Sequence, residues 1–115
     1  MSKISFDGIG EVVATFTCGA DVKAGQVVKA SGNGAVDKCG DGERFCGVAL
    51  TAEDGYAAVQ VAGLVKVAAA EGVAVGWNKL LADGTGGVKK DSASPATGGD
   101  YLVISVDSGS AVVRL

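Results

Sequence analysis

Apolar and polar residues alternate along this chain with a period of two, and no stretch sustains the spacing of an amphipathic helix. Between residues 11 and 18, Val12, Ala14, Phe16 and Cys18 share one face, while Thr15 and Thr17 share the other. Residues 26–30 read as a short strand, followed by the turn Ser31-Gly32-Asn33-Gly34 and a stub at 35–38. Residues 45–51 are mostly apolar, the pattern of a strand buried on both faces. Residues 56–67 read as the longest strand: Ala57, Val59, Val61, Val65 and Val67 lie on one side, Gln60 and Lys66 on the other. Leu80-Leu81 leads into the glycine-rich turn at 83–87 and then Val88-Lys89. Residues 101–106 and 111–115 pair as a hairpin around Asp107-Ser108-Gly109-Ser110. Ala68-Ala69-Ala70-Glu71 has helix propensity but is too short to nucleate a helix. The prediction is an all-β chain of eight or nine short strands in a small barrel or sandwich.

The pattern also repeats. Val22-Lys23-Ala24-Gly25, a strand, the Gly32-Asn33-Gly34 turn and Val36-Asp37-Lys38 come first. Val73-Ala74-Val75-Gly76, a strand, the Gly84-Thr85-Gly86-Gly87 turn and Val88-Lys89-Lys90 follow in the same order. Residues 22–61 and 73–115 therefore read as two copies of one unit. The alternative is that tight turns call for the same residues in any small β protein. Duplication predicts the same strand order in both halves.

Composition narrows the chemistry. At 115 residues the chain fits a single domain, 1–115, and 48% hydrophobic content excludes disorder. Its 19 glycines lack the period of three that collagen requires. Net charge is −3, and the only basic pair is Lys89-Lys90. A nucleic-acid surface needs a basic stripe, so no nucleic-acid partner is expected. There is no histidine. That removes Ser-His-Asp and Cys-His catalysis and most zinc sites, so no enzymatic activity is expected.

Residues 1–7 meet Asp7 before any apolar run forms, a poor signal peptide. The most apolar stretch, 59–70, is broken by Gln60 and Lys66 and falls short of the roughly 20 residues of a membrane span, so no membrane partner is expected. Cytosolic synthesis would keep Cys18, Cys39 and Cys46 reduced, although a Cys39–Cys46 bridge is sterically conceivable.

Candidate sites are sparse. Gly8-Ile9-Gly10 and Gly84-Thr85-Gly86-Gly87 lack the ending of a phosphate loop and read as turns. Asp37, Asp41 and Glu43 lie close together without the twelve-residue calcium pattern and read as a solvated acidic loop. Glu53-Asp54-Gly55 reads as a turn rather than a catalytic carboxylate pair. Trp77 is either a core or rim plug or a binding anchor. The Val22-Lys23-Ala24-Gly25-Gln26-Val27 turn resembles one found in biotinyl and lipoyl carrier domains, which would make Lys66 the modified lysine. Lys66 lacks both the Met flanks of a biotinyl site and the Asp-Lys pair of a lipoyl site. A carbohydrate-binding or adhesin module would need an aromatic platform that the dispersed aromatics do not supply.

A wider resemblance covers residues 1–107. It runs through Val22-Lys23-Ala24-Gly25-Gln26-Val27-Val28, Phe45-Cys46-Gly47-Val48-Ala49-Leu50, Tyr56-Ala57-Ala58-Val59-Gln60-Val61-Ala62-Gly63 and Gly72-Val73-Ala74-Val75-Gly76. This series is similar to the capsid cement proteins of tailed phages and prophages, also called head decoration or head fibre proteins. Lys3-Ile4-Ser5-Phe6-Asp7-Gly8 also looks like the start of head-fibre members. The resemblance implies a structural virion protein on the outer surface of the capsid, assembled in the bacterial host cytoplasm. It further implies the major capsid protein as partner, a homo-oligomer with a trimer favoured, and no cofactor. Lys3, Ile4, Phe6 and Ile9, in a possible N-terminal arm over 1–10, and Trp77 are the contact candidates. The arm would add a strand to a capsid edge; the alternative is an ordinary first strand of the barrel.

Overall fold

The computed structural model describes residues 8–115, and the candidates Lys3, Ile4 and Phe6 lie outside them. The described residues are all-β: β1 (Val12–Cys18), β2 (Val27–Gly32), β3 (Ala35–Lys38), β4 (Gly47–Glu53), β5 (Tyr56–Ala62), β6 (Leu64–Ala68), β7 (Gly76–Ala82), β8 (Val88–Lys90), β9 (Gly99–Asp107) and β10 (Ser110–Arg114). These are ten strands rather than eight or nine. The expected long strand over 56–67 breaks at Gly63, which takes φ +91°. Any side chain there would also collide with the chain itself, because a β-carbon on Gly63 would lie 2.5 Å from the Gly10 carbonyl carbon. Gly63 is the joint between the two halves of the molecule.

Strands β1-β3-β2-β4-β5 form a closed barrel, and β6-β10-β9-β7-β8 form a five-stranded sheet. Substituting β6 to β10 for β1 to β5 gives the ring β6-β8-β7-β9-β10, which is the second sheet's order read in reverse and opened between β6 and β8, as duplication predicts. Each copy also includes a leading strand, so the units are wider than 22–61 and 73–115.

The hairpin registers correspond as well, whereas β7 is shifted by two residues along β9 relative to β2 along β4: Val28 pairs with Gly47, but its counterpart Leu80 pairs with Gly99 rather than Tyr101. Lys29–Asp37 and Ala30–Val36 pair in the first half, and Leu81–Lys89 and Ala82–Val88 in the second. In β4 the pairing with β5 skips Leu50, and in β9 the pairing with β10 skips Ile104, so both hairpins carry the same bulge. The halves differ in closure. β1 meets β3 through the parallel pairs Thr17–Ala35 and Cys18–Val36, whereas the second sheet's edges touch through the single bridge Ala69–Val88.

Two cores follow from this arrangement. Inside the barrel, Val22, Val28, Val36, Ala49, Ala57 and Val59 pack together, with Phe16, Cys18, Ala52 and Val61 at the margin. The second core joins the inner face of the open sheet (Val65, Val67, Leu80, Val88, Val103, Val113) to Val27, Cys39, Phe45 and Val48 of the first half. Strands β2 and β4 thus send Val28 and Ala49 into the barrel and Val27 and Val48 into the shared core, which fits the two-sided apolar run at 45–51. Phe45 and Tyr101 stack with centroids 4.8 Å apart, and the Tyr101 hydroxyl donates to the Phe45 carbonyl at 3.3 Å. Burial of this much Val and Leu surface, at about 25 cal/mol per Å², is what holds the halves together.

Candidate interaction surface

The polar residues singled out in the sequence are engaged in local structure. Lys29 on β2 donates to both Glu43 carboxylate oxygens at 2.9 and 2.8 Å, tying the 39–46 loop to the barrel. The Lys29 hydrogen bond and the Gly40 N–H together hold the Glu43 carboxyl below its ordinary range. Asp41 pairs with Lys89 at 2.6 Å, and Asp37 accepts the Lys38 N–H at 2.8 Å. The acidic loop therefore does not converge on a cation. Among the described residues no group of three or more His, Cys, Asp or Glu side chains could hold a metal ion.

In the second half, the Asp91 carboxylate accepts N–H groups from Ala93, Thr97 and Gly98 at 3.0, 2.7 and 2.7 Å. Led by the Gly98 N–H, these hold its carboxyl below the ordinary range. Burial would raise the Asp83 carboxyl, but the Thr85 N–H and hydroxyl and the Gly87 N–H outweigh it and lower it. These carboxylates organise loops; they are not poised for proton transfer at neutral pH.

The cysteines are free thiols. Burial, reinforced by the Glu43 charge, pushes the Cys39 thiol up to about 11, and burial also raises Cys46. Neither thiol is activated as a nucleophile. Lys66 sits in the middle of β6, paired with Val112, rather than at a hairpin tip. Glu53-Asp54-Gly55 closes the β4–β5 hairpin, with Asp54 at φ 54°. An open depression of about 600 Å³ lies between residues 69–73 and 106–110. The Asp107 carboxylate beside it accepts the Ser108 N–H at 2.8 Å.

Trp77 settles as an exposed residue, not a core plug: 66% of its surface is accessible. It begins a row across the outer face of the second sheet, where Trp77 pairs with Leu102, Leu102 with Arg114, and Arg114 with Leu64. The Arg114 guanidinium reaches over Leu102 to lie 5.8 Å from the Trp77 ring centroid, a cation–π distance. One step along β7 and β9, Lys79 and Asp100 form a 2.9 Å ion pair. The exposed Val75 adjoins this face through Gly76. Beyond Leu64 lies Ile9, also exposed: Gly8 N–H donates to the Leu64 carbonyl, and Leu64 N–H donates to the Ile9 carbonyl, both at 2.8 Å. The structure thus places two of the sequence candidates, Ile9 and Trp77, at opposite ends of one row. Leu102, Arg114 and Leu64 between them were not singled out, because residues paired across strands carry no local sequence signal.

The class these features define is an all-β protein with an exposed row, from Ile9 to Trp77, across the outer face of its second sheet. No family model matches the chain, and no curated protein matches it.

Proposed function

We propose that the protein is a structural component of a tailed-phage or prophage virion that binds the outer surface of the capsid and stabilises the capsomer lattice. The observation that carries this reading is the ordered series of segments from residues 1 to 107 that resembles capsid cement proteins. A body in which Glu43, Asp83 and Asp91 fasten loops, burial raises the Cys39 and Cys46 thiols, and the Trp77 indole stands exposed is compatible with that role. The role is non-enzymatic: binding to the assembled shell and not to its separated subunits stabilises the shell by mass action, and many copies multiply weak contacts. Lys3, Ile4, Phe6, Ile9 and Trp77 are the proposed contacts with the major capsid protein. The virion surface is the proposed location, reached after assembly in the host cytoplasm. A carrier-domain role sits less well with Lys66, which is held within a strand.

The test is co-sedimentation of the purified protein with shells assembled from the major capsid protein of the same phage or prophage genome. Saturable binding and a raised shell melting temperature are expected. Absence of binding at micromolar concentrations refutes the proposal. Deleting residues 1–9 should weaken binding if the N-terminal contacts contribute, and undiminished binding would remove them from the proposed site.

A further inference from the structure

The seam that closes the barrel runs beside an Asn-Gly peptide. Strands β1 and β3 meet there in two parallel pairs, Thr17–Ala35 and Cys18–Val36. Gly34, in the turn between β2 and β3, extends the seam: its carbonyl accepts the Thr17 N–H at 3.0 Å and the Thr17 hydroxyl at 3.3 Å. The residue before it, Asn33, is exposed. Gly34 takes φ +63°, and a β-carbon there would meet nothing within 4 Å, so the space around the Asn33–Gly34 peptide is open. Among the described residues no hydrogen bond engages the Asn33 side chain or the Gly34 N–H.

We propose that Asn33 is a self-modification site, where deamidation through the Gly34 nitrogen loosens the barrel seam. The Gly34 amide nitrogen, having lost its proton to hydroxide, attacks the Asn33 side-chain carbonyl carbon. A Cγ–N bond forms, the Cγ–Nδ2 bond breaks, and the leaving nitrogen takes a proton from water to depart as ammonia. The product is a succinimide ring, which water then opens. Attack of water at Cγ gives aspartate. Attack at the main-chain carbon gives isoaspartate, whose backbone runs through the side chain and is one carbon longer. The net change is water in and ammonia out, with one more negative charge on the turn and no oxidant or reductant involved.

The chain's other asparagine, Asn78, shows why the reaction selects Asn33. Glycine follows Asn33, so no β-carbon shields the attacking nitrogen, whereas Lys79 follows Asn78. The Asn78 amide donates to the Ala74 and Gly76 carbonyls at 2.8 and 2.9 Å, which holds its side chain away from the next peptide. Asn78 also lies within β7, while Asn33 sits at an exposed hairpin tip, where local opening costs little. The consequence falls on the seam. The extra carbon of isoaspartate, placed between residues 33 and 34, displaces the Gly34 carbonyl from Thr17. The barrel then approaches the state of the second sheet, whose edges touch through the single bridge Ala69–Val88. The inference rests on the fold alone and stands apart from the capsid reading.

Ageing the full chain at about 37 °C, near pH 6 and near pH 8.5, with mass spectrometry of its tryptic peptides, tests the proposal. Peptide 30–38 should gain about 1 Da, as two products separable by chromatography, while peptide 67–79, which holds Asn78, keeps its mass. Isomerisation at the Asp-Gly pairs leaves mass unchanged, so the readout is specific to asparagine. Conversion should be faster at the higher pH, because hydroxide generates the nucleophile, and within about tenfold of the rate in the urea-unfolded chain. Asn33→Gln, whose longer side chain must close a larger ring, should stay unmodified over the same period. In the separated isoaspartate form, amide exchange at Thr17 should quicken by about tenfold or more, whereas Asn33→Asp should stay within about threefold of the natural chain. Conversion of peptide 30–38 more than about tenfold slower than in the unfolded chain, equal conversion at Asn78, or unchanged Thr17 exchange in the isoaspartate form each overturns the proposal.

Discussion

The two halves of this molecule share strand order, hairpin bulges and buried positions, yet only the first closes. Val28 and Leu80, Ala49 and Val103, Ala57 and Ala111, and Val59 and Val113 occupy matching core sites, each buried. The difference lies on the outside. The barrel's outer row serves as one wall of the second core, so β2 and β4 are apolar on both faces. The outer row of the open sheet is not covered by the described residues, and Arg114 stands there at the place of Gln60, with Trp77 exposed across β9 from it. A duplicated fold assembled in this way buries one outer face and leaves the other available.

The sharpest way to break the comparison is at the joint. Gly63→Ala places a side chain at positive φ and against the Gly10 backbone, which should cost about 3 kcal/mol or more. A thermal denaturation curve indistinguishable from that of the natural chain would mean that residue 63 is not the constrained seam described here.

Matched core truncations come next. Leu80→Ala should destabilise by roughly 2–5 kcal/mol, and Val28→Ala, at the corresponding site, by about 2 kcal/mol because fewer methylenes are lost. Because Val27 and Val48 belong to the second core, both variants should still unfold in one transition by circular dichroism and by Trp77 fluorescence. Separate transitions would show that the halves are independent domains.

The outer rows give a third contrast. Gln60 and Arg114 sit at corresponding places, one buried and one exposed. The Gln60 amide donates to the Ala62 and Leu64 carbonyls at 3.0 and 3.2 Å, on either side of Gly63. Gln60→Ala should cost about 2 kcal/mol, for a cavity and the loss of the amide's bonds to the Ala62 and Leu64 carbonyls, whereas Arg114→Ala should stay within about 0.5 kcal/mol. Equal losses in urea titrations would dismiss the covered-versus-open distinction.

These contrasts show what the sequence could reveal. Alternation located most strands because each sheet has one strongly apolar face, and the repeated turns disclosed the duplication. The break at Gly63 was concealed because Val61, Gly63 and Val65 keep the same parity, so the pattern runs unbroken through the bend at which the chain passes from one sheet to the other. Gln60 was placed on the face shared with Lys66, opposite Val59 and Val61, and a barrel's outer face is ordinarily wet. Only the docking of the second sheet makes it interior. Trp77 was ambiguous because its exposure depends on what covers β7, and that is a tertiary property.

The smallest expected effect concerns the corresponding loops after β3 and β8. The first is fastened by the Lys29–Glu43 ion pair, the second by the N–H groups that Asp91 accepts. Both carboxyls titrate below their ordinary values in the folded chain, so each contributes stability that is fully present above its unfolded value, near 4.5 for Glu43 and 3.8 for Asp91. That stability is lost as pH falls through the lowered folded values. Lys29, raised above 10.5 chiefly by its hydrogen bond to Glu43, adds the opposite limb, lost only as pH rises through its folded value. Salt separates the two loops, because an exposed ion pair is screened and backbone N–H bonds to a carboxylate are screened less. Amide exchange at 39–46 should therefore quicken between low and high salt at neutral pH while exchange at 91–98 stays nearly constant, and protection relative to the intrinsic exchange rate should fall in both below about pH 4. Equal salt response in the two loops would mean that the ion pair is not what holds the first.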